Sequence, residues 1–216
     1  MRHLKAILFD FDGTLAELNI DFIEMHRAVL DLMSDYCKPS NGMKGLYALE
    51  MIEAGKNHIS ESTPGRENEF FNRAHRLISN IETEGSKEGK LFTGTEDMLH
   101  ELRRRHIKVG IVTRNCMDAI KQIFPDIDSF CDVVITREFS TKVKPHPDHL
   151  LTALDALDTD AEFAAMVGDH PMDITVGKDV GVYTIGVLTG HSEADTLLDA
   201  GADMIIEKAV DITRLL

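Results

Sequence analysis

The stretch that decides the fold is AILFDFDGTL, at residues 6–15. Its apolar start is typical of a buried strand, and two carboxylates, Asp10 and Asp12, come directly after it. In open α/β sheets, ligands bind beyond the carboxyl ends of the strands. Because the two acids are two residues apart, their side chains share one side if the strand continues, and Gly13 lets the backbone turn away. An acidic turn that merely closes a strand is equally compatible with this sequence, so the rest of the chain must distinguish such a turn from a functional site.

Three further segments place polar groups after apolar runs. They read VGIVTRN at residues 109–115, KVKPHP at 142–147 and FAAMVGDHPMD at 163–173. Together with the first segment they resemble the haloacid dehalogenase superfamily of aspartate-nucleophile hydrolases. The resemblance covers the whole chain and points to the phosphatase branch, similar to phosphoglycolate phosphatases.

Composition limits the function in other ways. The chain has 216 residues, 43% of them hydrophobic, which is enough for one core domain with a large insertion. A formal net charge of −14 argues against nucleic-acid or anionic-membrane partners, whose binding surfaces need clustered Lys and Arg. The apolar run before Asp10 is too short for a signal peptide or a membrane span. Three cysteines without metal-like spacing indicate a reducing compartment, so we predict a cytoplasmic protein.

Apolar runs and helical patterns alternate along most of the chain. This alternation predicts an α/β fold with a doubly wound parallel sheet, the Rossmann-like core that the resemblance also implies. Right-handed crossovers then bring all four segments to one edge of the sheet. Strands are expected near 4–10, 107–113, 131–135, 163–168, 182–186 and 203–206. Helices are expected near 94–105, 116–123, 147–157, 171–179, 193–200 and 208–215.

Residues 15–92 interrupt this alternation and contain no convincing strand. Two stripes at helical spacing predict helices there, with a third around 44–55 and a polar, flexible return at 84–90. The stripes are Phe22, Met25, Val29 and Met33, and Phe70, Ala74, Leu77 and Ile81. The resemblance implies that 15–92 form a helical C1 cap that closes over the active site and selects the substrate. Residues 1–14 and 93–216 then form the core.

The two acids of the first segment suit the chemistry of phosphoester hydrolysis. Asp10 can act as the nucleophile and form an acyl-phosphate. Asp12, if neighbouring carboxylates raise its pKa, can protonate the leaving group and later accept a proton from water. The resemblance assigns the same roles.

Crowded carboxylates would repel an anionic substrate unless a hard cation, most simply Mg²⁺, lies between them. The resemblance implies that its ligands are Asp10, the backbone carbonyl of Asp12, and Asp169. It gives Asp173 a supporting position, acting either through water or by holding Lys144. Asp169 also fits the N-cap of a helix, and the neighbouring His170 is expected to be a bystander because Mg²⁺ prefers oxygen.

Thr113 and Lys144 complete the charge balance. Thr113 can donate its hydroxyl to a phosphoryl oxygen, with Arg114 and Asn115 beside it as further substrate-binding candidates. Lys144 supplies a point charge; Lys142 competes for this role, but the lysine directly before Pro-x-Pro matches the family pattern.

Two cationic side chains of the insertion are candidates for reading the substrate. Lys44 lies beside glycines and Arg66 follows Pro64-Gly65, so both stand near expected turns. A solvent-facing side chain is the alternative for each.

The sequence therefore predicts a Mg²⁺-dependent phosphatase that acts on a small phosphorylated metabolite through an aspartyl-phosphate. A sugar-phosphate mutase keeps all the acids and is an open alternative, as is a non-catalytic phosphate-binding regulatory module. A dehalogenase or a phosphonatase would lack the acid at Asp12. The oligomeric state is not predicted.

Overall fold

The computed structural model describes residues 3–43, 45–140 and 142–216. The chain divides into two compact units. One contains Met1–Leu18 with Glu88–Leu216, and the other contains Asn19–Lys87.

The first unit is built on a six-stranded parallel sheet with the strand order β5-β4-β1-β6-β7-β8. The doubly wound parallel sheet expected from the sequence is confirmed. Its strands are β1 (Ala6–Phe9), β4 (Lys108–Val112), β5 (Val133–Ile135), β6 (Ala164–Gly168), β7 (Tyr183–Val187) and β8 (Met204–Ile206). Two short strands, β2 (Ala16–Glu17) and β3 (Lys90–Leu91), form a separate antiparallel pair.

The register of the sheet aligns the ends of the strands that carry polar residues. Phe9, the last residue of β1, lies opposite Ile111 of β4 and Val167 of β6. All four residues of β1 are buried, because both faces of a parallel sheet are covered. Asp10, Thr113 and Asp169 therefore follow neighbouring strands at the same edge.

Helices cover the sheet. They are α4 (Thr95–Arg104), α5 (Met117–Ile123), α6 (Ile127–Phe130), α7 (Asp148–Ala156), α8 (Pro171–Val180) and α9 (Ala194–Asp199). The segments Arg137–Phe139, Ala161–Phe163 and Ala209–Arg214 are 3₁₀ helices, so the helix expected near 208–215 is of the 3₁₀ type.

The second unit is helical. It contains α1 (Phe22–Ser34), α2 (Ala48–Ser62) and α3 (Glu67–Ser86), with a 3₁₀ turn at Asn41–Met43. The helix expected around 44–55 therefore starts and ends later than the sequence indicated.

The buried faces differ in part from the expected stripes. In α1, Met25, Val29 and Met33 are buried, but Phe22 in the first turn is 54% exposed. In α3 the buried residues are spaced four apart, and Leu77 and Ile81 of the expected stripe are only partly buried. The buried residues of this row are Phe70, Ala74, Ile78, Glu82 and Ser86.

The expectation of no strand within 15–92 is wrong, since β2 and β3 lie there. The polar stretch expected to be a flexible return instead continues α3 to Ser86 and then enters β3. Gly85 permits close approach of the backbone, because a Cβ there would lie 2.7 Å from the carbonyl oxygen of Asn19. Residues 15–18 and 88–92 belong to the sheet unit.

Across the part of the chain that is described, no helix combines the length and the apolar character that crossing a membrane requires.

Candidate active site

The first acidic turn leaves the sheet at Asp10. The Asp10 N–H donates to the carbonyl of Val167 at 2.9 Å, so this residue still pairs with β6. Gly13 has a φ of +76°, a left-handed conformation that favours glycine, and its N–H donates to the carbonyl of Ala16 at 2.8 Å. The resulting turn folds back so that the N–H of Leu18 donates to Asp12 Oδ1 at 3.2 Å.

The ammonium of Lys144 lies between two carboxylates. Its Nζ is 2.9 Å from Asp10 Oδ1 and 2.6 Å from Asp173 Oδ1, and the residue is 1% exposed. Burial alone would lower the pKa of Lys144, but the two carboxylates outweigh it and raise the pKa, so the charge is kept. The Nζ of Lys142 instead lies 3.2 Å from the Nε2 of His146. The lysine before Pro-x-Pro is therefore the one that reaches Asp10.

Asp169 is enclosed by glycines and a hydroxyl. Thr14 Oγ1 donates to its Oδ1 at 3.2 Å. A Cβ at Gly190 would lie 1.8 Å from Asp169 Oδ2, and one at Gly13 would lie 2.6 Å from its Cγ. Burial, followed by the charge of Asp10, raises the pKa of Asp169 to about 6. The carboxyl thus has little freedom to move.

Asp173 holds the lysine and caps a helix. Its Oδ1 accepts from Lys144, while its Oδ2 accepts from the His170 N–H at 3.2 Å in the capping box of α8. The residue is 1% exposed, and burial raises its pKa. Of the two supporting arrangements left open by the sequence, the contact with Lys144 is present. His170, and not Asp169, is the N-cap of α8.

Asp12 lies in an environment that favours its protonated form. Burial, and then the negative charge of Asp10, raise the pKa of Asp12 to about 7. A carboxyl with such a pKa exists in both protonation states near neutral pH and can donate as well as accept a proton.

Three carboxyl groups could hold a metal ion. Asp10, Asp169 and Asp173 each offer an oxygen, and these oxygens lie within 4.8 Å of one another. Hard divalent cations such as Mg²⁺ take oxygen ligands of this kind. The side chain of Asp12 is not part of this cluster, and a ligand role for its backbone carbonyl stays a prediction.

The segment after β4 brings Thr113, Arg114 and Asn115 to the same edge of the sheet. Thr113 and Asn115 are buried, and the Asn115 N–H donates to Thr113 Oγ1 at 3.2 Å. The Arg114 guanidinium donates to the carbonyl of Lys144, and its Nη1 lies 3.1 Å from the sulfur of Met172. A substrate contact by Arg114 therefore stays a prediction, while its contact with the lysine loop is present.

The two cationic candidates of the helical unit are described only in part. Lys44 lies outside the described residues. Arg66 makes a salt bridge to Glu69 at 3.1 Å, and its guanidinium lies 4.3 Å from the ring centre of Tyr36. Whether Arg66 also reads a substrate stays a prediction.

Sequence reasoning missed several residues that shape the site. Thr189 Oγ1 donates to the Gly13 carbonyl at 2.6 Å, which ties the loop after β7 to the acidic turn. Gly190 leaves room for Asp169, and His149 accepts from the N–H of Lys144 at 3.1 Å. A Ser/Thr-Gly pair after the β7 apolar run was the one signal available for this loop, and it is common in ordinary turns.

Comparison with known proteins places this site in context. Residues 7–187 match the family described as haloacid dehalogenase-like hydrolase. Pyrophosphatase PpaX of Bacillus cereus is 36% identical to this chain in an alignment that covers 94% of this chain and 95% of that protein. A crystal structure of a haloacid dehalogenase-like hydrolase from Bacteroides fragilis superposes with a TM-score of 0.70 at 25% identity, covering 99% of this chain and 100% of that chain. A structure described as a predicted phosphoglycolate phosphatase from Haemophilus somnus has a TM-score of 0.67 at 16% identity, with 100% and 99% of the two chains covered, and shows the likeness of the fold.

Proposed function

Because the chain belongs to the haloacid dehalogenase-like hydrolase family, we propose that it is a Mg²⁺-dependent phosphatase that uses Asp10 as its nucleophile. Its substrate is a small phosphorylated metabolite. The observation that carries the proposal is that two neighbouring acids lie in different environments. Asp10 is held at 2.9 Å by the Lys144 ammonium, and Asp12, two residues on, has a pKa raised to about 7.

The donor set fits a magnesium ion. The clustered oxygens of Asp10, Asp169 and Asp173 are hard ligands, and Lys144 is the cation that the structure places among them. We assign Asp10, Asp169 and the backbone carbonyl of Asp12 as ligands, with Asp173 supporting. When bound, the ion supplies positive charge that attracts the substrate phosphate and stabilises charge on its oxygens.

The first half of the reaction transfers the phosphoryl group to the protein. A carboxylate oxygen of Asp10 attacks phosphorus, and the bond from phosphorus to the leaving oxygen breaks. Asp12 donates its proton to that leaving oxygen. Lys144 and the hydroxyl of Thr113 stabilise charge on the remaining phosphoryl oxygens, and the ion pairs with Asp10 and Asp173 hold the Lys144 ammonium in place before the substrate arrives.

The second half returns the protein to its starting state. Asp12, now ionised, accepts a proton from a water molecule while that water attacks phosphorus. The bond between phosphorus and the Asp10 oxygen breaks, which releases inorganic phosphate and regenerates the carboxylate. One residue can serve as acid and then as base because its pKa lies near neutral pH.

The substrate follows from the relatives and from the helical unit. Relatives named pyrophosphatase make pyrophosphate the first compound to test, beside phosphoglycolate and other small phosphoesters. The site residues described above would contact mainly the phosphoryl group, so we propose that Asn19–Lys87 selects the rest of the substrate. Lys44 and Arg66 are the cationic candidates for that task.

The test measures phosphate release from a panel that contains pyrophosphate, phosphoglycolate, sugar phosphates and p-nitrophenyl phosphate. We expect turnover that requires Mg²⁺, disappears with EDTA, and is lost by at least about 10²-fold in Asp10→Asn. Asp179→Asn, an exposed acid on α8, is the matched control and should keep wild-type turnover. Conversion of a sugar phosphate to its isomer without net phosphate release would instead indicate a mutase. Phosphate binding without turnover of any compound would indicate a regulatory module.

A further inference from the structure

Lys144 lies in a turn between β5 and α7, where its main chain belongs to no helix or strand. Side chains take the hydrogen bonds of its main-chain groups instead. The N–H donates to Nδ1 of His149 at 3.1 Å, and the carbonyl accepts from Nη1 of Arg114. Two side chains from different segments therefore fasten the peptide groups on either side of this one residue.

His149 is well suited to accept this hydrogen bond. It lies in the first turn of α7, five residues after Lys144, and is fully buried. Burial, and then the positive charges of Lys144 and Arg114, lower its pKa to about 3, so the ring is neutral at physiological pH. Since Nδ1 accepts, the ring proton is assigned to Nε2.

Arg114 is itself held in place. Its own carbonyl accepts from Nη1 of Arg137 at 3.1 Å, and Arg137 is buried. Its guanidinium also approaches the sulfur of Met172, the neighbour of Asp173 in α8. Arg114 thus links the main chain of Lys144 to α8, the helix that carries Asp173, the carboxylate partner of Lys144.

We propose that His149 and Arg114 are positioning residues, which hold the main chain of Lys144 so that its ammonium stands at the phosphoryl site beside Asp10. This inference rests on the proposed function, because it gives Lys144 a phosphoryl group to meet. A lysine side chain has a flexible four-carbon stem, so an ammonium is preorganised only when both ends of the residue are fixed. Asp173 fixes the tip, and the two side chains fix the base.

The first experiment separates the hydrogen-bond acceptor of His149 from its volume. His149→Leu removes the acceptor, and we expect kcat to fall by about tenfold to 10²-fold, the range for a slightly misplaced catalytic group, and KM to rise by up to about tenfold because Lys144 also binds the phosphoryl group of the substrate. His149→Asn places an amide oxygen near the position of Nδ1 and should restore kcat to within about threefold of wild type. His146→Leu, a half-exposed histidine of the same loop, is the matched control. Equal losses in the Leu and Asn variants, or wild-type kcat in His149→Leu, would overturn the role of the acceptor.

The second experiment removes the other side-chain contact to the main chain of Lys144, so it tests the positioning role even if His149→Leu does not fold. Arg114→Met keeps length but removes the donors, and we expect kcat to fall by about tenfold. In a Lys144→Met background the same substitution should change kcat by less than about twofold, because residues that act as a unit are not additive. A raised KM with unchanged kcat would make Arg114 a substrate ligand instead, and a full further loss without Lys144 would also refute the proposal.

Binding of inorganic phosphate distinguishes failure of this inference from failure of the proposed function. We expect calorimetric titration in Mg²⁺ to give weaker phosphate binding in His149→Leu, by about tenfold, and near wild-type binding in His149→Asn. If the wild type hydrolyses no phosphoester, the proposed function fails, and this titration still tests the positioning of Lys144. If the wild type does not bind phosphate, or the Leu variant binds it as well as the wild type, the positioning role is wrong.

Discussion

Replacing Asp12 by Asn is expected to stabilise the metal-free protein while abolishing its activity. The carboxyl of Asp12 is partly buried and feels the negative charge of Asp10, which makes its own charge costly in the folded state. An Asn side chain carries no charge, and its Oδ1 can still accept from the Leu18 N–H that now bonds to Asp12. The acid that the proposed reaction needs is therefore also a source of instability.

The magnitude follows from the shift in pKa. The ordinary pKa of an aspartate side chain is 3.8, and burial with the charge of Asp10 raises that of Asp12 to about 7. Between pH 4 and pH 7 the folded protein retains a proton that the unfolded chain has released, so the stability of the wild type falls as the pH rises through this window. At about 1.4 kcal/mol per pKa unit, the cost is about 2 kcal/mol at pH 5 and about 4 kcal/mol at pH 8.

Urea unfolding in EDTA, at pH 5 and at pH 8, measures this difference. Far-ultraviolet circular dichroism is a suitable probe because the chain contains no Trp. We expect the advantage of Asp12→Asn in the free energy of unfolding to grow by about 2 kcal/mol between the two pH values. The exposed control Asp179→Asn should have only a small effect at either pH. An advantage that stays constant with pH, or a destabilised Asn variant at pH 8, would refute the reasoning.

Three further predictions test other parts of the site. Gly190→Ala pushes a Cβ into Asp169 and should raise the Mg²⁺ concentration for half-maximal activity by about tenfold or more. Gly45→Ala is the control, because no described atom lies within 4 Å of its Cβ, and it should leave this concentration unchanged. An unchanged Mg²⁺ requirement in Gly190→Ala would contradict the ligand role of Asp169. Asp12→Ala should slow formation of the phosphoenzyme less for p-nitrophenyl phosphate than for an alkyl phosphate, because nitrophenolate leaves without a proton, and equal single-turnover losses would exclude the general-acid role. Arg66→Ala should change the ranking of substrates in the panel more than the turnover of p-nitrophenyl phosphate, and an unchanged ranking would place specificity elsewhere.

Much of the sheet could be predicted from the sequence because buried parallel strands read as short apolar runs. The run before Asp10 and the run before Asp169 are of this kind, and the structure places both at the centre of the sheet. The type of the segment near 208–215 could not be read in the same way. Its apolar pattern is compatible with either helix type, and the choice depends on packing rather than on local spacing.

The supporting contacts of the site could hardly be predicted from the sequence. Thr189 and Gly13 are 176 residues apart, and the hydrogen bond between them depends on strand order, which no local pattern contains. His149 could be read as one more histidine near a helix start, since nothing in the sequence tells that its ring faces the main chain of Lys144. The acids themselves were predictable because their chemistry requires particular residue types at the ends of strands.

The most direct test of the central claim is to trap the phosphoryl group on the protein. The enzyme is mixed with Mg²⁺ and a substrate that it is known to hydrolyse, and the reaction is quenched in acid within one turnover. The protein is then digested and examined by mass spectrometry for a phosphorylated peptide. We predict the added phosphoryl group on Asp10. With p-nitrophenyl phosphate, whose leaving group needs no acid, we expect a higher level in Asp12→Ala because breakdown then lacks its base. A phosphoryl group on any other residue, or full turnover with none on Asp10 in either protein, would contradict the proposed role of Asp10.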